Sequence, residues 1–274
     1  MTIEPFELFA VNFARHGGRR RDDNFVAANV FAAGPDPHLD DPNIYYYVWV
    51  ARRSDKLFVI DTGFEHKAAA ERGRVLTARP AECLSLLGID AGDVDDVILT
   101  HLHYDHAGGS CAFPKARFHV QQDEAAYATG PCMCHSYLRY PFDVEDVVNF
   151  VRLNFAGRIA FHDSITELCD GFSLHRIGGH TGGMQVARVF TRRGWVVIAS
   201  DATHFYANYR NKLVFPLVYD VKALLDGYAH IRRLADSDDH VIPGHDAMVM
   251  RIYPPVSQAL EGIAVRLDSA PSLG

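Results

Sequence analysis

His101, His103, Asp105 and His106 put four metal-ligating side chains within six positions, directly after the apolar run Val97-Ile98-Leu99. Imidazole nitrogens and carboxylate oxygens at this density suit a divalent ion, and a β-branched run ending in them reads as a strand delivering its C-terminal end to metal. In an extended segment side chains two apart share one side, so His101 and His103 can hold one ion. Once the chain turns, Asp105 and His106 face elsewhere and supply half of a second site. Gly108 and Gly109 then let the backbone pass close by. Two adjacent divalent ions are a device for hydrolysis: they share a water, lower its pKa and polarise the carbonyl or phosphoryl group it attacks.

Such residues need elements to hold them. Ile44-Tyr45-Tyr46-Tyr47-Val48-Trp49-Val50 is strand-like in its β-branched and aromatic content, and Leu57 to Ile60 is its hairpin partner across Arg53-Ser54-Asp55. The partner ends in Asp61, which is either a turn residue or a buried carboxylate in need of hydrogen-bond donors. Residues 65 to 89 carry alanine and leucine at helical spacing, with Pro80 suited to a helix start. Ala116 to Val120 reads as a strand and Asp123-Glu124 as the start of a helix. Phe172 to Ile177, Met184 to Phe190 and Trp195 to Ala199 read as strands, the last two as a hairpin around Arg193-Gly194, and Val221 to Leu234 reads as a helix. Three more strand ends thereby present His180, within Gly178-Gly179-His180-Thr181-Gly182-Gly183, then Asp201, and His245 after Pro243-Gly244. Alternating strands and helices with polar residues at strand ends describe an α/β domain whose site lies along one edge of its sheets.

Other stretches are less informative. Residues 6 to 33 look like early strands broken at Gly17-Gly18, and Gly34-Pro35-Asp36-Pro37 and Asp40-Asp41-Pro42-Asn43 read as loop. Residues 129 to 157, broken at Gly130-Pro131 and Tyr140-Pro141 and rich in aromatics, read as an insertion that walls a pocket or forms a satellite cluster. The 274 residues are 48% hydrophobic and 22% charged, enough for a substantial core. A net charge of −7 argues against nucleic acid or an anionic membrane as partner. The one basic run, Arg15 with Arg19, Arg20 and Arg21, is followed at once by Asp22-Asp23 and reads as a solvated loop. Five cysteines without a regular framework suggest reduced thiols and a cytoplasmic setting, and Cys132-Met133-Cys134-His135 lacks the second pair a zinc finger needs. No signal peptide or membrane-length apolar run is evident, so no membrane partner is expected. Nothing in the sequence sets the oligomeric state.

The stretch Thr-His-Leu-His-Tyr-Asp-His-Ala-Gly-Gly, residues 100 to 109, resembles the signature of the metallo-β-lactamase superfamily, and its Ala-Gly-Gly ending is most similar to the N-acyl-homoserine lactonase branch. The resemblance implies an αβ/βα sandwich of two β-sheets flanked by helices, as one domain over 1–274. Carried over position by position, it implies that His101, His103 and His180 hold one ion, that Asp105, His106 and His245 hold the other, and that Asp201 bridges them. Asp61 would hold the ligand loops from behind. Two divalent ions, zinc for preference with iron, manganese or cobalt also fitting, would then be the cofactor. An aspartate in the bridging position, where many metallo-β-lactamases proper have cysteine, speaks against antibiotic hydrolysis.

The implied reaction is the opening of a lactone ring, an N-acyl-homoserine lactone first of all. Asp105 would pass a proton to the leaving alkoxide, or act as a ligand only. In the well-known lactonases a tyrosine lies three residues after the bridging aspartate and bonds the substrate carbonyl; here that position is His204. His204 or Tyr206 is therefore the expected substrate contact, with packing as the alternative for either. The runner-up reading is another lactone, ester or thioester, such as a pyridoxolactone-like ring. A glyoxalase-type thioesterase shares the motif but carries a C-terminal basic helical domain, for which the residues after His245 leave little room. RNA-processing relatives need a basic exosite, and diiron oxygen-reducing relatives replace the position of His103 with a carboxylate. A non-catalytic metal-bound sensor is the remaining class, and seven filled ligand positions do not favour it.

Overall fold

The computed structural model describes residues 3–26 and 41–272; the expected loop at Gly34-Pro35-Asp36-Pro37 and residues 27 to 33 lie outside them. Among the described residues the strands are β1 (Glu7–His16), β2 (Ile44–Arg53), β3 (Lys56–Ile60), β4 (Val75–Leu76), β5 (Asp96–Ile98), β6 (Arg117–Gln121), β7 (Ile159–His162), β8 (Ile165–Cys169), β9 (Phe172–Arg176), β10 (Gln185–Thr191), β11 (Gly194–Ser200), β12 (Val241–Pro243) and β13 (Ala264–Arg266). They form two sheets, an eight-stranded one ordered β13-β1-β2-β3-β5-β6-β7 with β4 on β1, and a five-stranded one ordered β12-β11-β10-β9-β8. β3, β5, β6 and β7 run parallel, as does the pair β11 and β12. Parallel neighbours align their C-terminal ends, which is what brings polar strand ends to one edge.

The two-residue period of a strand divides the large sheet between two cores. Phe9, Val11 and Phe13 of β1, with Val48, Val59 and Val97, face a cluster shared with helices His66–Arg72, Pro80–Ser85 and Val144–Phe155 through Ala69, Leu84 and Phe150. Leu8, Ala10, Trp49, Phe58, Ile60 and Ile98 face the other sheet and pack against Leu174, Val186 and Ile198. Helix Val221–Leu234 covers that second sheet through Leu224, Tyr228 and Ile231. This is the expected layering of two sheets flanked by helices, with β7, β8, β13 and helix Val144–Phe155 added to what the pattern had suggested.

The metal-motif strand is shorter than its apolar run. β5 pairs only through Ile98, after which the backbone finds other partners: Leu99 N–H donates to His119 O at 3.0 Å and Thr100 N–H to the Asp61 carboxylate at 2.8 Å. His103 closes the extended stretch as the N-cap of a one-turn helix, Tyr104–Ala107. From the other sheet Gln185 N–H donates to Thr100 O at 2.9 Å, and the Gln185 amide donates to Leu99 O at 2.8 Å. The motif is thereby stitched to both sheets.

Close backbone approach explains the paired glycines. A Cβ on Gly109 would lie 2.1 Å from Thr62 O, and one on Gly183 would lie 2.0 Å from the Glu124 amide nitrogen. At Gly17 an added Cβ meets nothing nearer than Asn43 Oδ1 at 3.9 Å. Gly183→Ala is therefore expected to lose about 1–3 kcal/mol of unfolding free energy through overpacking, and Gly17→Ala far less. Urea denaturation of the two variants side by side checks this; equal midpoints would refute the close-packing account.

Candidate metal centre

Four strand ends and their loops meet at the seam between the sheets. His101, His103, His180 and Asp201 can each turn one ligand atom to within 4.8 Å of the others, and so can Asp105, His106 and His245. All are buried except Asp105, which is intermediate. Asp201 stands between the groups. Its Oδ2 lies 3.2 Å from His180 Nε2 and 3.9 Å from His101 Nε2, while Oδ1 lies 2.9 Å from His245 Nε2 and 3.3 Å from His106 Nε2. Asp105 Oδ2 is 3.8 Å from both His106 Nε2 and His245 Nε2.

The hydrogen bonds at the far side of each ring decide what faces inward. His180 Nδ1 donates to Leu217 O at 2.9 Å, His245 Nδ1 to Tyr45 O at 2.7 Å, and His106 Nδ1 to Asp61 Oδ2 at 2.7 Å. A neutral imidazole with its proton on Nδ1 presents a lone pair at Nε2. Lone pairs therefore face the Asp201 oxygens at near contact, which repels unless a cation sits between. His101 Nε2, His106 Nε2 and Asp201 Oδ1 are all buried without a hydrogen bond, and buried polar atoms are ordinarily paired. The donor set thus fits two divalent ions, with the rings oriented in the way metal-bound histidines are.

Electrostatics agree. Burial, then the neighbouring histidines, push His101 and His103 well below the usual imidazole range, and burial takes His180 down to about 3. These rings are neutral, the form that binds metal. Burial works against charge on His106 as well, yet Asp201 and Asp61 outweigh it and push it up, while the surrounding histidines outweigh burial at Asp201 and pull its carboxyl down. Both shifts mark a place that attracts positive charge.

Asp61 anchors the ligand loop. Its oxygens accept from Thr100 N–H at 2.8 Å, Thr100 Oγ1 at 2.8 Å and His106 Nδ1 at 2.7 Å. Asp61 and Ser200, at the ends of β3 and β11, both take left-handed backbone, with φ of 61° and 45°. Such strain in residues with a Cβ persists only where the surroundings hold it. Glu124 is an anchor that sequence reasoning had taken only as a helix-start residue. Fully buried, it accepts from Leu102 N–H at 2.9 Å, Thr181 Oγ1 at 2.6 Å and Gly183 N–H at 3.0 Å, tying the first ligand loop to the His180 loop. The close approach of Gly183 is the signal that would have pointed to it.

A cavity of about 420 Å³ opens over this centre. His204 lines it, stacked on Phe215 with ring centroids 3.6 Å apart, and its Nε2 lies 3.0 Å from Asp201 Oδ2. Asp201, His204 and His245 form a third set whose ligand atoms fall within 4.8 Å of one another. Tyr206 is different. It begins helix Tyr206–Asn211, is 1% exposed, and packs in the core between the sheets rather than on the cavity wall, because the turn after His204 carries it below the surface that His204 occupies. The expected contact at Tyr206 is thus corrected. Tyr46 and Tyr104, which the sequence had offered only as a strand residue and a motif spacer, do line the cavity, with their hydroxyls 3.2 Å apart. From the 129 to 157 stretch, Tyr140 and Pro141 line it too. Arg19, read as part of a solvated loop, is half-buried on the same wall.

Comparison with known proteins agrees with this geometry. Residues 41–255 match the model of the metallo-beta-lactamase superfamily. The chain is 30% identical over 265 residues to the N-acyl homoserine lactonase AiiB of Agrobacterium fabrum, covering 84% of this chain and 91% of that one. Among solved structures, an N-acyl homoserine lactone hydrolase with N-hexanoyl-L-homoserine bound at its catalytic metal centre superposes with a TM-score of 0.69 at 20% identity, covering 92% of this chain and 96% of that one. AidC, a dizinc quorum-quenching lactonase, superposes with a TM-score of 0.65 at 15% identity over 89% of each chain. With its two-sheet fold, its converging ligand loops and these relatives, the chain belongs to the metallo-beta-lactamase superfamily.

Proposed function

We propose that this protein is a dinuclear metal-dependent lactonase acting on N-acyl-homoserine lactones. The observation that carries the reading is the pair of ligand groups with Asp201 standing between them at the floor of one cavity. The relative named above is a lactonase matched over most of its length. His101, His103 and His180 would hold one ion, Asp105, His106 and His245 the other, with Asp201 between. Nitrogen and oxygen donors without thiolate suit zinc, and a dizinc lactonase shares the fold. The five cysteines form no disulfide, which fits the cytoplasm. The 129 to 157 stretch serves as a pocket wall through Tyr140 and Pro141.

Ions held by these residues would supply Lewis acidity, lowering the pKa of a water and polarising the ester carbonyl. The chain's own groups do the rest. Water adds to the carbonyl carbon, the ring C–O bond breaks, and the alkoxide takes a proton to give a hydroxy acid. Asp105, the most accessible carboxylate of the centre, is placed to carry that proton. His204 is fixed by its stack on Phe215, steadies the Asp201 oxygen and lines the cavity that a substrate would enter.

Elemental analysis is expected to find two divalent ions per chain, with ring opening of N-hexanoyl-homoserine lactone abolished by chelation and restored by zinc. Two ions without ring opening of any lactone would refute the activity. Asp201→Ala should leave one ion or none. Asp61→Asn should weaken metal affinity about 10–100-fold by loosening His106 and Thr100, measured by competition with a chromophoric chelator. His204→Ala should keep both ions and slow turnover at least tenfold; loss of an ion would make His204 a ligand, and unchanged kinetics would make it packing.

A further inference from the structure

Part of the cavity wall is cationic. Arg19, Arg72 and Arg74 all line it, each half-buried. Among the described residues none of the three pairs with a carboxylate. Arg19 donates to Asn24 Oδ1 at 2.8 Å and to Asp23 O at 2.6 Å. Arg72 donates to Tyr140 O at 3.1 Å and Phe142 O at 3.0 Å, with its guanidinium 4.0 Å from the Tyr104 ring centroid. Arg74 donates to Tyr104 Oη at 3.0 Å and Arg72 O at 2.6 Å.

Neutral acceptors orient these guanidiniums and leave their charge in place. Asp23 also lines the cavity, but its side chain is exposed and accepts from Arg20 N–H at 2.7 Å rather than from any of the three guanidiniums. Asp105 and Asp201 belong to the metal set. His16, on the same wall, is driven down to about 4 by burial and by repulsion from Arg74 and Arg19. The rim also connects to the centre. Arg19 sits 6.0 Å from the Phe215 ring centroid, and Phe215 stacks on His204; the Tyr46 ring, whose hydroxyl meets that of Tyr104, is 5.3 Å from the His245 ring.

We infer that this rim is a subsite for an anionic group on the substrate, so that the ester bound over the metal centre carries a carboxylate at its other end. Resting on the lactonase reading, this narrows it from lactones with plain apolar tails to lactones whose acyl chain ends in an anion. Partly desolvated guanidiniums fixed in direction favour a carboxylate through charge-assisted, bidentate hydrogen bonds. A plain alkyl chain leaves three half-buried guanidiniums with neutral acceptors only, whereas a carboxylate gives them an opposite charge.

The test uses the metal-loaded protein and two matched substrates, N-succinyl-homoserine lactone and its neutral N-succinamoyl counterpart. The carboxylate form is expected to have the higher kcat/KM by tenfold or more. Arg19→Gln and Arg74→Gln should bring the ratio toward one, whereas Arg74→Lys should retain part of it. A ratio near one in the parent protein, unmoved by the variants, overturns the subsite. Glutarate binding by calorimetry, on the same proteins, separates the two readings. If N-hexanoyl-homoserine lactone opens and neither of these does, the subsite is overturned; if none of the three opens, the lactonase assignment has failed, and glutarate binding weakened tenfold or more in both glutamine variants still supports the subsite. Equal glutarate binding by all the proteins overturns it.

Discussion

A buried centre in which nitrogen lone pairs face carboxylate oxygens is the constraint around which this fold is built. In their neutral forms His245, His180 and His106 have their one proton committed to Tyr45 O, Leu217 O and Asp61, so that Nε2 turns a lone pair toward Asp201. His101 Nε2, His106 Nε2 and Asp201 Oδ1 are buried without a hydrogen bond, and each unpaired buried polar group costs about 1–3 kcal/mol. A cation at each group relieves them together. Metal binding and the folding of these loops are therefore linked processes, in which the ions supply what the loops lack.

The division of labour between sheets follows from that constraint. The large sheet delivers Asp61 and the 101 to 106 loop; the small sheet delivers His180, Asp201 and His245. Neither sheet holds a complete set. What fixes the seam is a few buried cross-links: Glu124 to Thr181 and Gly183, Gln185 to Thr100 and Leu99, and Ser200 Oγ to Thr100 Oγ1 at 3.1 Å. Gly244 admits Asp201 at its back, since a Cβ there would stand 2.7 Å from Asp201 Oδ1. The hydrophobic core between the sheets sets their spacing, and these polar bonds set their register at the one place where it matters for chemistry.

Much of this was legible in the sequence because strand ends are abrupt. Val97-Ile98-Leu99 stops at polar ligands, and so do the runs before Asp61 and Asp201; buried apolar strands cannot hide where they meet a site. Helix Val221–Leu234 was legible for a similar reason, since one of its faces buries Leu224, Tyr228 and Ile231. β8 was not, because Ile165 shares the exposed face with Glu167 while Thr166 is half-buried, so the apolar residues do not follow the strand's alternation. β13 is three residues long and is set by pairing with β1 from the opposite end of the chain. Tyr206 misled because an aromatic run after a site residue looks the same whether it lines a cavity or turns into a core helix. Arg19, Arg72 and Arg74 were invisible as a set, being brought together only by the fold.

Tyr104 shows how closely the rim and the metal centre are joined. It is the spacer between His103 and Asp105, and its hydroxyl meets both Arg74 Nε and Tyr46 Oη while Arg72 lies over its ring. Burial, with Asp105 adding to it, pushes its phenol up to about 12, so Tyr104 stays protonated and does not neutralise the arginines beside it. One residue of the ligand motif thus aims two cations without cancelling either. The position of the cationic rim relative to the ions is therefore set by the motif's own backbone, and the length of substrate that spans from one to the other is fixed by the same short helix that presents Asp105 and His106.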